Sequence, residues 1–277
     1  MHVEITKTVP IFRHPGDHGV FLQWVVHEPP SADISFKLER SGSPNGPWDE
    51  LILKLDSYHF FDKMRRPVLP APGDIVDDLN YLSLARTVYY RIVAVTSTGE
   101  TAYDISDVGA SLPLREQLLK RKMQRDLAIG FKFNGVDVAV LKRKHWGLRC
   151  TNCYDRITRK TTNSKCAICF HTGFVTGYFT PVRIKMRFLA PNTNTSLTPQ
   201  GKSDTTQIRA ICGQEPAVDV DDVIVEMGLN KRYIVTAQSE TQLRRETVHQ
   251  SIILSELARD SVEYRIPANW DHTPIMY

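Results

Sequence analysis

The sequence predicts a mainly β protein: an N-terminal β-sandwich over residues 1–110, a linking helix over 111–130, a hairpin and cysteine module over 131–181, and a small β-barrel with a C-terminal arm over 182–277. Three observations carry this. Short apolar runs of period two recur between turn signals at both ends of the chain. A single stretch in the middle keeps helical spacing. Between the helix and the last strands lie two C-x-x-C turns, Cys150-Thr-Asn-Cys153 and Cys166-Ala-Ile-Cys169.

In the first block, Val20 to Val26 alternates toward Trp24, and Ile34, Phe36 and Leu38 share one face of the next run. Ser41-Gly-Ser-Pro-Asn-Gly-Pro is turn chemistry. Val88 to Val95 and then Thr101-Ala-Tyr103 flank the Thr98-Gly99 turn. Trp24 is expected between two sheets, against Tyr90 or Ile92. Lys63 to Leu84, with Pro67, Pro70 and Pro72, reads as an inserted loop.

Ser111 suits a helix cap and Pro113 the first turn. Leu114, Leu118, Leu119, Met123 and Leu127 keep helical spacing, with Arg115, Lys120, Arg121, Lys122 and Arg125 between them, and Gly130 is expected to end the helix. Phe131 to Val140, with Asn134-Gly135 at its centre, reads as a β-hairpin. Beyond the cysteines, Val182, Ile184, Met186 and Phe188 alternate with Arg183, Lys185 and Arg187. Pro191 to Thr206 reads as a polar loop. Strands are expected at 208–211, 222–226, 231–236, 248–257 and 262–266. The tail from Pro267 to Tyr277 has aromatics without a period and reads as an arm docking on a neighbour.

The chemistry concentrates at the cysteines. Two C-x-x-C turns separated by twelve mostly polar residues can bring Cys150, Cys153, Cys166 and Cys169 to one tetrahedral point, as a structural Zn²⁺ requires. Two disulfides or buried free thiols are the other readings of four cysteines. Ile157 is the one clearly aliphatic residue between Tyr154 and Lys165, too little apolar surface to order that segment without a metal. Four thiolates leave no open coordination position, which points to scaffolding. Cys212 reads as a small buried apolar residue, and His171 as a lesser ligand candidate or a partner of a sulfur.

Hydrophobic content of 42 % and charged content of 24 % are those of a globular protein. No run approaches a membrane span, and no secretory signal is visible at Met1 to Lys7. The net charge of +4 is unevenly spread: from Lys142 to Arg187 the basic residues have Asp155 as their sole acidic neighbour. That span either faces a polyanion or neutralises the charge of a zinc–thiolate centre. Asp219, Asp221 and Asp222 are solvated turn residues or a weak cation site, and His14 and His18 are a weak metal pair. No phosphate loop, nucleophile elbow or H-E-x-x-H motif occurs, so no catalytic residue is assigned and an enzyme is not expected.

Two resemblances attach to these residues. Trp24, Tyr90-Arg-Ile-Val-Ala-Val95 and the Thr98-Gly-Glu turn make residues 5–108 similar to a fibronectin type III domain, which implies a sandwich that mediates protein contacts. From Val136 onward, Arg149-Cys-Thr-Asn-Cys-Tyr-Asp and Lys165 to Pro181 resemble structural proteins of contractile- and long-tailed bacteriophages. So do Asp222 to Glu226, Lys231 to Thr236, His249-Gln250 and Val262 to Pro267. The resemblance implies a virion component made in the host cytoplasm: a neck subunit (connector or collar) joining head to tail. It further implies a homo-oligomeric ring of twelve copies, contacts with portal, adaptor and tail-terminator proteins, and non-specific contact with DNA in the channel, with no membrane partner. A baseplate position, or a zinc-ribbon nucleic-acid-binding protein, is the alternative.

Overall fold

The computed structural model describes residues 2–12, 18–27, 34–41, 45–55, 57–63, 88–96, 99–107, 114–155, 157–158, 160–190, 192–198, 201–244 and 246–267. The chain divides into two compact units, residues 1–111 with 145–148, and residues 112–144 with 149–277.

The first unit is built from two antiparallel sheets. β1 (His2–Phe12), β2 (His18–His27) and β5 (His59–Lys63) form one, in the order β1-β2-β5. β3 (Ser35–Ser41), β4 (Asp49–Leu55), β6 (Tyr89–Thr96) and β7 (Gly99–Asp107) form the other, in the order β4-β3-β6-β7. Alternation directs Phe36 and Leu38 of β3, Tyr90 and Ile92 of β6, and Val20, Leu22, Trp24 and Val26 of β2 into the buried set. Trp24 is buried as predicted, and its ring partner is Phe36, edge-on with centroids 5.7 Å apart. A polar link joins the two sheets: Tyr90 donates its hydroxyl to Asp62 of β5 at 2.8 Å, and Arg40 of β3 donates to the same oxygen at 2.9 Å. Trp146, from the short 145–148 segment, is buried in this unit against Phe36, edge-on at 5.1 Å. The expected loop Lys63 to Leu84 lies, from residue 64 on, outside the described residues, as do Ser111, Pro113, His14 and the tail from 268.

The second unit holds a closed barrel. β8 (Val136–Leu141), β9 (Val182–Phe188), β11 (Gly201–Cys212), β12 (Val223–Glu226), β13 (Lys231–Leu243) and β14 (Glu246–Glu256) run in the order β11-β14-β13-β12-β8-β9, and β9 returns to β11 through Phe188 and Arg187. Among the described residues, β10 (Asn192–Thr198) pairs only with β11. Apolar alternation fills the interior: Val138, Val140, Ile184, Met186, Ile224, Val235, Ile252 and Leu254 are buried, and so is Cys212.

Four expectations are corrected. The helix α1 spans Leu114–Asn134, so residues 131–134 continue it and no hairpin forms there. Asn134-Gly135 ends the helix: the Gly135 amide donates to the Phe131 carbonyl at 2.9 Å, and a Cβ at 135 would lie 2.3 Å from that oxygen. β8 pairs instead with β9 and β12 and belongs to the barrel, which therefore begins near Val136 rather than at 182. The expected polar loop 191–206 is a β-hairpin, paired from Asn192↔Gln207 to Thr198↔Gly201. Residues 262–265 form a 3-10 helix, not a strand. Closure by β9 and β11 leaves that segment no barrel edge to join, and it packs Val262 and Ile266 on the side of the barrel instead. Arg232, nearly fully buried, holds the helix there by donating to the carbonyls of Glu263 and Ile266.

Candidate metal centre

The cysteine module leaves the barrel at the end of β8 and returns at the start of β9. A short ladder frames its base: the Phe179 amide donates to Lys142, and the Lys144 amide donates to Gly177. Beyond this ladder, the Cys150 amide donates to Gly173 at 2.9 Å, which draws the two C-x-x-C turns together. Each turn closes on itself, Tyr154 N–H to Cys150 O at 3.1 Å and Phe170 N–H to Cys166 O at 2.9 Å. Phe170 and His171 take positive φ values of 47° and 68° as the chain reverses after Cys169.

These turns bring the four sulfurs to one point. Cys150, Cys153, Cys166 and Cys169 are all buried, none is in a disulfide, and their sulfur atoms lie within 4.8 Å of one another. Cys150 and Cys166 are 3.9 Å apart at sulfur, and Cys153 and Cys169 are 3.0 Å apart. Around a tetrahedral ion with metal–sulfur bonds of ~2.3 Å the sulfurs would stand about 3.8 Å from each other, so one ion fits this donor set. The amides of Cys169 and Ile168 point at the Cys166 sulfur and draw its thiol down to about 6, readying it as a thiolate. Burial pushes the Cys153 and Cys169 thiols up. His171 is not among the clustered ligands.

Aromatic residues cushion the module on the barrel. Phe170 and Tyr178 join Ala139, Leu141, Val223 and Val225 in one cluster, so the module rests on the barrel wall. Arg149 lies between two rings, 4.5 Å from the centroid of Tyr154 and 4.0 Å from that of Phe174.

The acidic cluster has a different role from cation binding. Asp222 is fully buried and accepts from the amides of Arg143 at 2.9 Å and Asp219 at 2.8 Å. Lys142, also buried, pairs with Asp222 at 3.2 Å, with Asp219, and with the Ala217 carbonyl at 3.0 Å. Burial outweighs the lysine and pushes the Asp222 carboxyl up to about 6. Arg143 pairs with Asp221 at 2.9 Å. Lys142 thus fastens the foot of the module and is neither a neutraliser of the sulfurs nor a surface cation. Gln250, to which the sequence assigned no structural role, is fully buried and spends its amide on the turn before β12: it donates to Gly213 and Pro216 and accepts from Val218. Its place in an alternating strand carried no signal of this.

A solvent-open cleft of about 320 Å³ lies on the module, lined by Arg143, Arg149, Lys160, His171, Thr161 and Tyr154 with Thr172 and Gly173. Among the described residues no long apolar helix able to cross a membrane occurs. A scan against models of known protein families finds no match, and no curated protein matches the chain.

Proposed function

We propose that this chain is a ring-forming structural subunit of a tailed-bacteriophage particle, in the neck between head and tail, with Zn²⁺ holding its cysteine module. The observation that carries the assembly reading is a pair of hairpins that outrun the barrel. In β10–β11, residues 201–206 pair, among the described residues, only with β10, and every residue from Asn192 to Thr206 in the paired strands is polar or glycine except Leu197. In β13–β14, pairing continues to Leu243↔Glu246, past the last rungs that β12 and β11 share with it. A two-stranded ribbon alone in water is marginal. Ribbons with open edges suit burial against a neighbouring copy, where the edge can add strands. Leu118, Leu119, Ile129 and Phe133 on α1 are large, apolar and exposed, and favour the same use.

Soft sulfur donors in a closed tetrahedral set favour zinc over harder cations, and the metal acts as a staple. The two-sheet first unit is what the fibronectin type III resemblance implies, and a protein-contact role outside the ring suits it. The test is to replace residues 193–205 by a two-residue turn and compare native mass with the full chain. The reading requires higher-order rings for the full chain and their loss in the variant with one zinc per chain retained. A full chain that stays monomeric at high concentration and in purified particles refutes it.

A further inference from the structure

We infer that the cleft on the cysteine module is a binding site for the phosphate backbone of a nucleic-acid strand. This inference stands on the cleft alone and is independent of ring formation. Among the described residues, the side chains of Arg143, Arg149 and Lys160 and the imidazole of His171 converge on it, and no carboxylate lines it. Arg149 is held between the faces of Tyr154 and Phe174, which pre-sets the plane of its guanidinium. A planar, immobilised fork suits bidentate contact with phosphate oxygens. Thr161 adds a hydroxyl to the same wall.

Gly173 keeps the floor open. It takes a φ of +81°, and a Cβ there would meet the Thr161 methyl at 3.1 Å and the Tyr154 ring at 3.6 Å. The cleft is largely open to solvent, which fits a strand lying across it better than an enclosed small molecule. The neutralising role of basic residues around a zinc–thiolate centre does not account for the set. Arg143 already has Asp221 at 2.9 Å, an exposed carboxylate, and Lys160 is itself exposed, so both offer a phosphate an easily exchanged partner.

The test uses the zinc-loaded full chain and a fluorescein-labelled 20-nucleotide single strand, followed by anisotropy over a salt series. R143Q/K160Q should weaken binding at least tenfold at low salt and lower the salt slope by about 0.7 for each contact removed. R125Q/K132Q, which removes the same charge from the exposed side of α1, should stay within twofold. Equal losses in both variants, or no loss in the first, overturn the site. Should R143Q/K160Q lose its metal, amine acetylation of the wild type decides: bound strand must protect Lys160 and leave Lys132 reactive, and equal reactivity overturns the proposal. Displacement by millimolar inorganic phosphate as readily as by unlabelled strand overturns the strand reading and leaves a simple anion site. Ring assembly by a chain that fails these tests leaves the neck reading untouched.

Discussion

Replacing Lys142 by methionine should destabilise the second unit by about 3 kcal/mol or more at pH 7.5, and by less in acid. The side chain keeps its bulk and loses its ammonium, so Asp222 remains fully buried with only the amides of Arg143 and Asp219 to hold its charge. In the wild type the Asp222 carboxyl already titrates near 6, above the usual carboxylate value of about 3.9. A raised folded-state value means that its contribution to stability is full below about pH 4 and is lost as the pH rises through 6. Without Lys142 the titration moves higher still. Between pH 6 and 7.5 that adds up to about 2 kcal/mol at 1.36 kcal/mol per unit. The lost bonds from Lys142 to the Ala217 carbonyl and Asp219 add about 1 kcal/mol or more. The sum meets the lower end of the 3–5 kcal/mol typical of a buried pair broken from one side. Urea unfolding read by hydrogen-exchange mass spectrometry on peptides covering β8 and β12 isolates this unit. The gap between variant and wild type should narrow by about 2 kcal/mol from pH 7.5 to 5.5. A gap under 1 kcal/mol at pH 7.5, or one independent of pH, refutes the account of this pair.

Three further outcomes are expected. Purified protein should carry one zinc per chain by elemental analysis, and Cys153→Ser should lose it together with exchange protection at residues 150–174, because binding energy and module folding are the same energy; full protection without metal contradicts the centre. Trp24→Ala should cost about 3–5 kcal/mol in the first unit, measured by calorimetry, since the ring is 1 % exposed between the sheets; an unchanged first-unit transition contradicts the sandwich core. Tyr90→Phe should cost about 1–3 kcal/mol there, because the hydroxyl bonds a buried carboxylate, and a neutral result means that Arg40 alone satisfies Asp62.

What could be read from sequence was whatever local chemistry determines. The cysteine spacing located all four members of the cluster, and strict alternation located β9 from Val182 to Phe188 residue for residue. Failures came where one local signal serves two structures. Asn134-Gly135 suits a hairpin turn and a helix end equally; the helix won because it buries Phe131 while leaving Phe133 in solvent, and β8 had better partners in β9 and β12. Val262 and Ile266 fit period two, yet they are also one helical turn apart, and barrel closure decided between the readings. The β10–β11 hairpin is held by backbone pairing with no apolar period to betray it. The acidic turn before β12 looked like solvated carboxylates because its partner, Lys142, is far away in sequence.

The cysteine module occupies residues 141–181, and its two ends are hydrogen-bonded neighbours, with Val140 opposite Val182. In topological terms it is an elaborate β-turn. Closing a loop of that length instead of a tight turn costs the barrel only about 2 kcal/mol of chain entropy, so the barrel can carry a module of this size between two of its paired strands. The seat at the ends of β8 and β9 is therefore a socket. A lineage, or an engineer, can exchange the metal-binding turns plugged into it while the strands beneath keep their register, provided that Lys142 stays to meet Asp222 and Trp146 stays to fill the first unit.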